Sequence, residues 1–176
     1  GMRRGEACGL RWSDIDWRQR ALHVRRNVVK LSRQPIMVKE PKTRAGVRVV
    51  YLSKDMCKLL RAWEKECQWE KEQRGDEELT QDDYLFQQSN GDPMVPCTFT
   101  YRFKMILREN GLPDDLNVHS LRHTNASMLI AQGVDVRTVA GLLGHAQPST
   151  TLDIYSHAFD KNKRLAGQKL SEAIGL

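Results

Sequence analysis

Runs of β-branched residues dominate the first third of the chain, and apolar residues at helical three-and-four spacing dominate the rest. Residues 4–12 (RGEACGLRW) set Ala7, Cys8 and Leu10 or Trp12 on one helical face, and Ser13-Asp14 breaks that pattern. Three β-rich runs follow at 21–29, 35–40 and 47–52, and they predict a small three-stranded antiparallel sheet. The segment PKTRAG (41–46) joins the last two runs, with Gly46 as its turn residue. Ser53 is placed to cap a long helix with Asp55 in its first turn, and Met56, Leu59, Leu60, Trp63 and Cys67 form its apolar stripe up to about Gly75. An acidic loop (75–83), a short strand at 84–86 and a turn at 89–93 come next. A helix over 98–110 carries Phe99, Phe103, Ile106 and Leu107 and stops at Gly111.

The second half reads as helical throughout. Leu121, Met128, Leu129 and Ile130 belong to one helix that closes at Gly133. Asp135 caps a short helix with Val136, Val139, Leu142 and Leu143, which ends at Gly144. Ser149 caps another with Leu152, Tyr155 and Phe159, and 161–174 is a terminal amphipathic helix with Leu165 and Leu170. The expected fold class is α+β, mainly α-helical with one small sheet near the N-terminus.

Charge changes this picture more than composition does. The 176 residues carry a net charge of +6, and 40% are hydrophobic, as in an ordinary globular domain. Residues 1–50 hold 13 Lys and Arg against 4 Asp and Glu, whereas residues 53–83 hold 6 against 10. The basic end is a candidate phosphate-facing surface, with the acidic middle turned away from it. The four cysteines form no CxxC pair and read as reduced thiols of a cytoplasmic protein. No apolar run approaches the roughly 18 residues of a membrane span, and no signal peptide is visible.

Candidate chemistry concentrates in residues 119–157. His119 and Arg122 share one helical face. An Arg fork binds two phosphate oxygens, and His exchanges a proton near neutral pH. His145 follows Arg122 by 23 residues and ends a short helix, and Tyr155, a potential nucleophile, follows ten residues later. Each residue alone has a plainer explanation: a capping His, a surface Arg, a half-buried Tyr. The two short helices could equally be a helix-turn-helix that reads DNA without chemistry. His119 and His123 at i,i+4 raise the question of zinc, but HSLRH lacks the Glu of the zinc-protease motif and no third ligand is obvious, so the expected metal is none.

Taken together, GMRRGEACGLRWSDID (1–16), KTRAG (42–46), HSLRHT (119–124), LLGH (142–145) and TTLDIYSH (150–157) resemble the catalytic domain of the tyrosine recombinases, also called phage-type integrases. The resemblance implies catalytic roles for Arg3, Lys42, His119, Arg122, His145 and the nucleophile Tyr155, with Glu6 in support. It implies DNA contacts for Arg4, Arg44 and Arg48. The implied activity is site-specific recombination or integration for a mobile element or phage, through a 3′-phosphotyrosyl intermediate and without cofactor. The alternative is a non-catalytic DNA-binding remnant of an integrase, and more distantly a metal-dependent nuclease. The implied partners are double-stranded DNA and, on it, three further copies in a homotetramer, with a monomer expected in its absence. The whole chain is expected to be one catalytic domain, truncated before the first Arg motif and without the core-binding domain. Residues 161–176 form a C-terminal helix or tail, whose helix 161–174 is a candidate for docking onto a neighbouring protomer, the alternative being that it packs on its own domain.

Overall fold

The computed structural model describes residues 1–41, 46–147, 149, 151 and 152. The α+β class is borne out: among the described residues, four longer α-helices and a short opening one accompany two small antiparallel sheets. The opening helix α1 (Arg4–Cys8) is shorter than the 4–12 pattern. It stops where Gly9 N–H returns to the carbonyls of Gly5 and Glu6. The chain then straightens so that Arg11 bridges Tyr84, and a 3₁₀ turn (Trp12–Asp14) follows.

The sheet differs from the expected one. Among the described residues five strands form, β1 (Ile15–Asp16), β2 (Ala21–Val24), β3 (Asn27–Lys30), β4 (Ile36–Lys39) and β5 (Arg48–Tyr51). The run 21–29 is cut at Arg25-Arg26, so β2 pairs with β1 and β5 while β3 and β4 make a separate hairpin. The run divides because its two halves bury different faces. Leu22 of β2 joins Leu10, Trp12, Ile15, Cys67 and Leu85 in one cluster, whereas Val28 of β3 packs with Cys8 and Met94 in another. The segment 84–86 pairs only through isolated bridges at Tyr84 and Gln87.

Helix α2 (Lys54–Arg74) begins at Ser53, whose Oγ accepts Met56 N–H at 3.1 Å, and ends at Gly75 in the left-handed region (φ 72°). Its buried stripe is narrower than expected. Leu60, Trp63 and Cys67 meet the core, and Trp63 Nε1 donates to Leu85 O at 2.7 Å. Leu59 stands 100° round the helix from Leu60 and is exposed, as is Met56 in the first turn. Helix α3 (Pro96–Glu109) starts on a proline, suited to a first turn whose N–H groups lack partners.

Helices α4 (Val118–Ala131) and α5 (Val136–Leu143) carry the second half of the described fold. Asn117 Oδ1 accepts Ser120 N–H and Asp135 Oδ1 accepts Thr138 N–H, which sets both starts. Ala126, Ile130, Val139 and Leu143 are fully buried between the two helices. Residues Arg122, Ala126 and Ile130 form the inward face of α4 at four-residue spacing, while Leu121 and Met128 face outward. Among the described residues no helix is long and apolar enough to cross a membrane.

Candidate active site

Arg3 is held at the start of α1 by the residue three places on. Glu6 accepts the Arg3 backbone N–H and the Arg3 Nη1–H, both at 2.8 Å. Placing a carboxylate there also satisfies the helix N-terminus electrostatically. Helix α1 lies against β3 so closely that a Cβ on Gly5 would sit 2.6 Å from Val28 O and 2.4 Å from Asn27 Oδ1, so only glycine fits. Glu6 is 3% exposed and also accepts Arg48 Nη2 at 2.7 Å. Burial alone would raise its pKa, but the hydrogen bonds from Arg48 and from the Arg3 backbone outweigh burial and hold it below the ordinary 4.5.

The C-terminal end of α5 collects three arginines. Three successive carbonyls there, Leu142, Leu143 and Gly144, accept Arg48 Nε (2.7 Å), Arg122 Nη2 (2.6 Å) and Arg3 Nη2 (3.3 Å) in turn. Last-turn carbonyls lack helical partners and carry the negative end of the helix dipole, so cations suit them. Arg122 is buried and donates its Nη1–H to Gly1 O at 2.6 Å. Gly144 then turns through the left-handed region (φ 68°), and His145 N–H returns to Ala140 O at 3.0 Å. The turn aims His145 back toward the arginines.

Both candidate histidines are kept neutral. Burial first, then the charges of Arg122, Arg3 and Arg48, bring the His145 pKa down to about 4. Its Nδ1 lies 2.8 Å from the Oγ1 of buried Thr151. His119 is lowered by burial, then by His123, Arg122 and Arg3, and its ring meets that of His123 edge-on at 4.4 Å. His119, Arg3 and Arg4 line one cleft of about 410 Å³ together with Met2, Thr100, Asn117 and Val118. Arg3, 44% exposed at its side chain, opens onto that cleft.

The sequence-predicted residues fall into three groups. Arg3, Glu6, Arg122 and His145 converge on the end of α5, and His119 lies within the same field of charges. Arg4 is exposed beside the cleft, donating to Thr100 Oγ1 at 3.3 Å. Arg48, expected to contact DNA, has a side chain that is 6% exposed, and its donors go inward to Leu142 O, Gly46 O and Glu6. Lys42, Arg44 and Tyr155 lie outside the described residues, as does 161–176. Sequence reasoning missed Thr151, although a hydroxyl six residues after a helix-ending His was the available signal. Among the described residues no group of three His, Cys, Asp or Glu is arranged to hold a metal ion.

This fold, with its motifs in this order, is that of the phage integrase family: residues 1–162 match the family model, and the chain belongs to that family. It is 31% identical over 174 residues to the ICEBs1 integrase of Bacillus subtilis, covering 99% of this chain and 46% of that one. It is 30% identical over 182 residues to a tyrosine recombinase XerC-like protein of Caldanaerobacter subterraneus subsp. tengcongensis, covering 98% and 46%. The chain thus spans about half the length of these relatives. Among solved structures, the Tn1549 transposon integrase in complex with transposon right end DNA shares the fold at a TM-score of 0.76 and 24% identity, covering 94% of this chain and 54% of that one. XerA recombinase superposes with a TM-score of 0.66 at 25% identity, covering 96% and 51%.

Proposed function

We propose that this chain is the catalytic part of a site-specific DNA recombinase of a mobile element or phage, cutting and rejoining strands through Tyr155. The observation that carries this is the convergence of Arg3, Arg122 and His145 on one helix end, with Arg3 more than a hundred residues from the other two in sequence. Two guanidinium forks and neutral imidazoles together suit a phosphodiester whose charge rises as it is attacked.

Tyr155 Oη attacks the phosphorus and the P–O5′ bond breaks. His119, held neutral, accepts the tyrosine proton. Lys42 gives a proton to the departing 5′ oxygen. Arg3 and Arg122 hold the nonbridging oxygens, each contributing on the order of 3–4 kcal/mol to the transition state by analogy with oxyanion-hole donors. Glu6 keeps Arg3 oriented. With Thr151 donating to Nδ1, neutral His145 is left with an Nε2–H for a phosphate oxygen. The phosphotyrosyl link conserves the bond energy, so a 5′ hydroxyl rejoins the strand without metal or nucleoside triphosphate. Arg4 and Arg44 contact the DNA backbone. Four copies act together on two DNA sites, the chain is a monomer without DNA, and it works in the cytoplasm.

The test uses nicked duplexes carrying sequences that flank the gene, with chelator present. A covalent protein–DNA band on a denaturing gel, lost in Tyr155→Phe, is the expected result. DNA binding that survives with no adduct under any condition contradicts the catalytic reading and leaves a binding remnant.

A further inference from the structure

We infer that Arg48, on strand β5, is a positioning residue of the active site: by joining Glu6 to the Leu142 carbonyl at the C-terminal end of α5 it fixes Arg3 and His145 relative to each other. This inference rests on the recombinase reading above. Arg48 touches one of the two supports of Arg3 directly and the helix end that carries the other. Its Nη2 donates to Glu6 Oε2 at 2.7 Å while Glu6 Oε1 accepts Arg3 Nη1 at 2.8 Å. Its Nε donates to Leu142 O at 2.7 Å, two residues before Gly144, whose carbonyl accepts Arg3. The next residue is His145. A planar fork with donors on both edges can serve a carboxylate and a carbonyl at once, and a lysine ammonium is a single point. Each Arg48 nitrogen donates within the protein, Nε to Leu142 O, Nη1 to Gly46 O and Nη2 to Glu6, so its charge acts through these contacts.

Two variants, Arg48→Gln and Arg48→Lys, separate this role from DNA contact and from bulk stability. Three quantities are read in the full chain. The first is affinity for a random-sequence duplex as a function of salt. The second is the rate of adduct formation on the nicked flanking duplexes. The third is the titration midpoint of the His145 ring by NMR, where the facing charges are Arg48, Arg3, Arg122 and His123. For Arg48→Gln the expected result is unchanged duplex affinity and salt slope, an adduct rate lower by about 100-fold, as for a reacting group displaced by about 1 Å, and a His145 midpoint moved upward. Arg48→Lys keeps the charge and the fold, so the midpoint stays close to that of the parent chain, but the rate remains depressed.

A salt slope reduced by about one, with affinity lost uniformly, would make Arg48 a phosphate contact and overturn the inference. So would an adduct rate equal to that of the parent chain. If the unaltered chain forms no adduct, the recombinase reading fails separately. The positioning role is then decided by NMR alone, and an unmoved His145 ring in Arg48→Gln refutes it.

Discussion

Replacing Glu6 by Gln removes a buried negative charge that faces Arg3 and Arg48. Glu6 is 3% exposed and serves two arginines of unequal importance. The Arg3 side chain is 44% exposed, so its ion pair is screened by water and contributes less than about 1 kcal/mol. The Arg48 side chain is 6% exposed, and Glu6 is the carboxylate paired with it. Removing one partner of a buried pair costs about 3–5 kcal/mol, because the other charge stays buried. Gln retains one acceptor oxygen, which puts the expected loss near the lower figure, about 3 kcal/mol. For a chain of this size that lowers Tm by about 6–12 °C. The pH dependence has a definite sign. The folded pKa of Glu6 lies below 4.5, so its contribution is full above the unfolded value and is lost as pH falls through the folded one. Calorimetric melts of both proteins should differ fully at pH 7, and the difference should shrink as pH falls below 4.5. A Tm within about 2 °C of the parent chain at pH 7, or a difference that persists unchanged into acid, refutes the reasoning.

Other consequences follow from the same geometry. Gly5→Ala pushes α1 off β3, since its Cβ would meet Val28 O at 2.6 Å; adduct formation should fall by about 100-fold with Arg3 displaced, and a parent-like rate would show that α1 tolerates the shift. Arg3→Ala, in contrast to Glu6→Gln, should change Tm by less than about 3 °C because its pair is solvent-screened, yet lower the adduct rate by a factor of at least about 100; equal losses in both assays would contradict this division. His145, with its folded pKa near 4, favours the folded state only while neutral, so stability falls as pH drops from about 6.5 toward 4. Melts at pH 7 and pH 5 should show His145→Gln losing less than the parent chain, and equal losses would deny the buried neutral ring.

Much of the fold is legible in local chemistry. Ser53 and Asp135 begin their helices, and Gly75 and Gly144 end theirs in the left-handed region, where sequence alone puts them. The end of α5 shows the limit. That Arg122 and His145 belong to one site can be read from motif order, but that three arginines bind three successive carbonyls cannot. A carbonyl's direction depends on how α4, β5 and α1 meet the helix end, and residue spacing carries no trace of that. Arg48 illustrates the same point: a basic residue in the basic first third of the chain reads as surface until its partner Glu6, 42 positions away, is found beside it. The division of 21–29 into two strands was hidden for a related reason, since Leu22 and Val28 are both apolar and what separates them is the cluster each joins.

The most direct measurement is to locate the DNA on the protein. Chelator-treated reactions with nicked duplex are digested with nuclease and protease, and the peptides are analysed by mass spectrometry. Recovery of a nucleotide remnant on Tyr155, absent when that residue is Phe, is the predicted result. A remnant on any other residue, or strand cleavage that leaves no protein-bound nucleotide and stops in chelator, would contradict phosphotyrosyl chemistry at this site.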